Sequence, residues 1–75
     1  MSATAAIERS QRFLREHGCD PSKYYVSLAI WTCSVEKAEE DAWRIDWVAR
    51  DKATKPQKYL ILVRDDTHVF PGAEL

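Results

Sequence analysis

Apolar residues recur at helical spacing near the start of the chain and at every second residue further on. Ala3, Ala6, Ile7, Ser10, Phe13 and Leu14 share one face of a helix over Ala3 to His17, with Glu8, Arg9, Arg12, Arg15 and Glu16 mostly opposite. Ser2 or Thr4 suits the N-cap, Arg12, Arg15 and His17 complement the dipole at the far end, and Gly18 with Asp20 and Pro21 ends the helix. The period then becomes two. Over Tyr24 to Thr32 the even-numbered Tyr24, Val26, Leu28 and Ile30 oppose Tyr25, Ser27, Ala29 and Trp31, which predicts a strand. Trp43, Ile45, Trp47 and Ala49 alternate with Arg44, Asp46, Val48 and Arg50 in a second strand.

A third strand is expected at Tyr59 to Val63, within KYLILVRDDTHVFPG, because five consecutive apolar residues are too few for a helix and Ile61 and Val63 are β-branched. Asp65 and Asp66 then turn the chain, His68 to Phe70 returns as a short fourth strand, and Pro71 with Gly72 stops it. Ser34 to Asp41 reads equally as a hairpin loop or as one to two turns of helix, and DKATKPQ, Asp51 to Gln57, is a polar connection. The predicted architecture is α+β: an N-terminal helix packed on a three- to four-stranded antiparallel meander, in a single domain over residues 1–75.

This pattern leaves too many apolar residues for one buried face. If Tyr24, Val26, Leu28, Ile30, Trp43, Ile45, Trp47, Tyr59, Ile61 and Val63 form the helix-covered core, then Tyr25, Trp31, Val48, Leu60 and Leu62 lie outside. An apolar patch on so small a protein marks an interface, and Arg44, Arg50 and Arg64 would form its polar rim.

Composition narrows the alternatives. The chain is 45% hydrophobic with two glycines, which is globular, and its net charge of -1 gives no long-range field for nucleic acid. Arg44, Arg50, Arg64, Lys52, Lys55 and Lys58 lie among Asp46, Asp51, Asp65 and Asp66, so a nucleic-acid surface is disfavoured. No basic leader, apolar leader segment or membrane-spanning run is found, so the expected location is the cytoplasm and no membrane partner is expected.

Candidate chemistry is sparse. Cys19 and Cys33 fit neither a redox pair nor a zinc site, leaving two reduced thiols or one stabilising bridge. His17 stands at the helix end. His68 beside Asp65 and Asp66 would be the place to seek an enzyme, but no nucleophile stands at a defined spacing from it. Glu36, Glu39, Glu40 and Asp41 form an acidic connection without calcium-loop spacing, readable as a contact for a basic partner. No catalytic residue, cofactor or metal is assigned.

The phrases AWRIDWVARD and KYLILVRDDTHVFPG, after one helix, resemble two groups of small modules, PepSY-type domains and nuclear-transport-factor-two-like (cystatin-like) immunity proteins. Trp43 to Val48 and Val63 to Val69 occupy the matching places, although Asp66 and Thr67 stand where the last turn usually has a glycine. The resemblance implies a curved sheet wrapped on a helix, acting by binding rather than catalysis. The expected function is therefore that of a non-enzymatic protein-binding module, an inhibitor or immunity-type partner, with a homodimeric structural subunit as the alternative and a small enzyme or nucleic-acid binder third.

Overall fold

The computed structural model describes residues 1–32 and 42–64 and the backbone of 69–74. Helix α1, Ala3–Glu16, begins where the Ser2 hydroxyl accepts from the Ala5 amide at 3.2 Å. It ends in a two-bond Schellman cap: Gly18 N donates to Arg15 O at 3.1 Å and Cys19 N to Leu14 O at 2.9 Å. Gly18 makes this possible with φ of 77°, a left-handed conformation that other residues adopt at a cost. A short 3-10 turn, Pro21–Lys23, follows and is capped by the Asp20 carboxylate.

Strands β1 (Tyr24–Thr32), β2 (Ala42–Ala49), β3 (Lys58–Val63) and β4 (Val69–Glu74) form one antiparallel sheet in the order β1-β2-β3-β4. Helix α1 lies across one face and touches all four strands. Ala6 and Leu14 of the helix pack with Tyr24, Ile45, Trp47, Ile61 and Val63 in the core. One polar link crosses it: the buried Trp47 Nε1 donates to Ser10 Oγ at 2.9 Å, and that hydroxyl donates to Ile7 O at 2.8 Å. No hydrogen-bonding group of this chain of three is left unpaired, as burial demands. Among the described residues no helix is long and apolar enough to cross a membrane.

Strand β1 departs from strict alternation at one place, and the departure changes which of its residues face outward. Val26 pairs with Trp47 but Leu28 pairs with Asp46, so Ser27 is an extra residue on β1. Beyond this bulge the side chains exchange faces. Tyr24 and Val26 lie on the helix side as expected, whereas Leu28 and Ile30 turn outward and Ala29 and Trp31 turn to the helix side. The continuous even-numbered face expected for this strand is thus corrected to two half-faces. Trp31 is opposite Trp43, its ring edge-on with centroids 5.9 Å apart, on the face opposite to Tyr25.

The fourth strand is longer than expected and runs through Pro71 and Gly72 instead of stopping there. It tolerates a proline because it is the edge of the sheet, and its register slips by one residue at Gly72, since Leu60 pairs with Ala73 and Ile61 with Pro71. The readings made on Ser34 to Asp41, on Cys33 and on Asp65 to His68 lie outside the described residues. Cys19 is a free, half-buried thiol.

Candidate interaction surface

The face of the sheet turned away from the helix is a grid that follows from the register. One row holds Tyr25, Val48 and Lys58, the next Leu28, Asp46 and Leu60, and the third Ile30, Arg44 and Leu62. Six apolar side chains thus surround three charged ones. Tyr25 and Ile30 are 45% and 42% exposed, and Leu28, Val48, Leu60 and Leu62 are half-buried. No described element packs over this face.

Asp46 occupies the middle of the grid and is only 3% exposed, although it stands on the open side of the sheet. Leu28 and Leu60 flank it across the strands, and Arg44 and Lys58 close over it. Arg44 grips it with two bonds, Nε to Oδ1 at 3.0 Å and Nη2 to Oδ2 at 3.2 Å, while Lys58 Nζ lies 3.3 Å from Oδ2. Burial acts to raise the Asp46 pKa, but the hydrogen bonds and charges of Arg44 and Lys58 outweigh it and hold the carboxyl below its ordinary 3.8. The same bond raises the Arg44 pKa. The carboxylate is consumed internally. Two cations surround one anion, so the surface presented to a partner is apolar with a positive excess.

Of the eight residues expected at the surface, Tyr25, Val48, Leu60, Leu62 and Arg44 come together on this face, and Trp31 does not. Arg50 borders it: its guanidinium carbon lies 6.0 Å from the centre of the Tyr25 ring, and its Nε donates to Ser22 O at 3.2 Å. Arg64 follows the end of β3 by one residue and is half-buried. Leu28, Ile30, Lys58 and Asp46 are added to the face. A serine interrupting the apolar run of β1 is the sequence's only trace of the bulge that brings Leu28 and Ile30 there.

The remaining candidates are occupied by structural tasks. His17 donates from Nδ1 to Phe13 O at 2.9 Å and stacks on the Phe13 ring, as a helix-end residue. A groove of about 570 Å³ runs between the helix end and the β2–β3 connection and contains Lys23, Lys55, Asp20 and Asp51. Its carboxylates are engaged locally, Asp20 with the Ser22 amide and hydroxyl and Asp51 with Ala53 and Thr54, and these bonds lower both pKa values. Among the described residues no group of three histidine, cysteine or acidic side chains is arranged to hold a metal. Comparison with protein-family models, with curated proteins and with solved structures gives no match for this chain.

Proposed function

We propose that this chain is a small, non-enzymatic protein-binding module of the inhibitor or immunity-partner kind, which engages another protein through the outer face of its sheet. The observation that carries this reading is the grid around Asp46. Six apolar side chains lie in one patch, and the only carboxylate among them is buried and neutralised, which leaves cations at the surface. Such a patch suits a partner that presents apolar side chains edged by carboxylates. Tyr25 stacked beneath Arg50 is an aromatic and arginine pair of the type that dominates binding energy. We place this work in the cytoplasm, in keeping with the free thiol of Cys19.

The test compares immobilised chains as baits. A partner retained by the parent chain and by Trp31→Asp, but lost with Leu60→Asp and with Leu28→Asp, supports the outer face, provided circular dichroism shows each variant folded. A partner retained equally by all four chains contradicts it. Unfolding of both the Leu60→Asp and Leu28→Asp variants would put those residues in the core and contradict it as well.

A further inference from the structure

The outer face is ill suited to a second copy of this chain, but another surface is well suited to it. Two copies stacked face to face would set Arg44 and Lys58 of one against those of the other, with only a buried carboxylate between them. The outward edge of β1 is different. β1 is an end strand of the sheet, so its outward backbone groups lack a strand partner among the described residues. Over nine residues, Tyr24 to Thr32, it carries no charge and no proline. Of the four large hydrophobic residues that are strongly exposed among the described residues, three are on this strand: Tyr25, Ile30 and Trp31. The opposite edge, β4, is blunted by Pro71, which has no N–H to offer, and by the slip at Gly72. Among the described residues one edge is protected and the other is open.

We infer that β1 pairs antiparallel with β1 of a second copy, joining two four-stranded sheets into one of eight strands. This goes beyond the face-binding reading and uses the backbone edge of β1, whose Leu28 and Ile30 side chains also belong to the outer face. The bulge at Ser27 limits regular pairing to Leu28 through Thr32, and matching faces then centres the two-fold axis on Ile30. Ile30 meets Ile30 of the second copy, Leu28 meets Thr32, and the large Trp31 lies across from the small Ala29. Main-chain hydrogen bonds supply attraction and no like charges meet across the axis. The dimer also leaves both outer faces open, side by side on one surface, for a second partner.

The experiment measures solution mass and cross-linking on the full chain. Light scattering over a concentration series is expected to rise from 8.7 kDa towards twice that mass. With Cys19 and Cys33 replaced by alanine, Ile30→Cys is expected to form a covalent dimer under mild oxidation, because residues at the axis lie about 4.5–5.5 Å apart, within disulfide reach. Leu60→Cys, on the outer face, is expected to remain uncross-linked. Trp31→Lys, which leaves the outer face intact, should return the chain to a monomer. A mass of 8.7 kDa at every concentration overturns the inference. So does a dimer that cross-links through Leu60→Cys and not through Ile30→Cys. If Trp31→Lys does not fold, the two cysteine variants decide alone. Neither failure touches the Leu60→Asp arm of the bait experiment, because Leu60 lies on β3, away from the β1 edge.

Discussion

At the scale of single residues, two polar contacts in apolar surroundings bear most of the specificity. Trp47 is buried and its indole N–H has Ser10 Oγ as partner. Ser10→Ala should therefore cost about 1–3 kcal/mol in urea denaturation, the penalty for a buried donor left unsatisfied, and a change under a few tenths would mean that the indole finds water instead. Asp46 makes the second contact. Its partners are 36% and 30% exposed, so solvent screens the pair, and Asp46→Asn should cost about 1.5 kcal/mol at neutral pH, the low end for charge-assisted bonds. The sign of its pH dependence follows from the direction of the shift. The folded chain holds the Asp46 proton less readily than the unfolded chain, so the ionised carboxylate adds stability above pH 3.8, and this is lost as pH falls through 3.8 towards the lower folded value. Asp20 and Asp51 act in the same window, so acid titration of Asp46→Asn should show a shallower fall than the parent chain, not a flat line. A parallel fall would show that Asp46 titrates normally in the folded protein.

At the scale of elements, helix α1 and the β1 bulge are the two parts that could go wrong independently. The cap at Gly18 has open space around it, so Gly18→Ala meets no neighbour, and only the left-handed φ opposes it. A loss of about 1 kcal/mol is expected by thermal or urea unfolding. The bulge allows a sharper test. Deleting Ser27 leaves Val26 opposite Trp47 and Leu28 opposite Asp46, so the faces stay as they are, and the variant should fold with a change of about 1 kcal/mol. Were β1 a regular strand, the same deletion would move Leu28 and Ile30 from one face to the other and unfold the chain.

These elements also show what could be read from the sequence and why the rest could not. The helix was legible from its apolar stripe and its glycine, β2 from alternation, and β3 from a β-branched apolar run too short for a helix, because each rests on a local pattern. The bulge was not, since an extra residue disturbs only the pairing between strands and Ser27 continues the alternation without a break. Strict alternation puts Trp31 on the outer face, and the bulge alone moves it to the helix side. Pro71 misled in the opposite direction: a proline ends a central strand but is accepted on an edge, and strand order is a property of the assembled sheet. In the sequence Lys58 is only a charge. Its role above Asp46 emerges only from the diagonal between neighbouring strands.

At the scale of the whole molecule, one helix covers one side of the sheet and the other side is left to the grid of Tyr25, Leu28, Ile30, Val48, Leu60 and Leu62 around a neutralised carboxylate. The proposed function divides the surfaces: the face for a partner with acidic edges, the β1 edge for a second copy. The most direct measurement is a methyl spectrum of the chain, labelled at isoleucine, leucine and valine, titrated with the partner that the bait experiment retains. Shifts confined to Leu28, Ile30, Val48, Leu60 and Leu62, with Ile7, Leu14, Ile45 and Ile61 unmoved, are the predicted result. Shifts at Ile7 and Leu14 with the outer leucines unmoved would place the partner on the helix side and contradict the account.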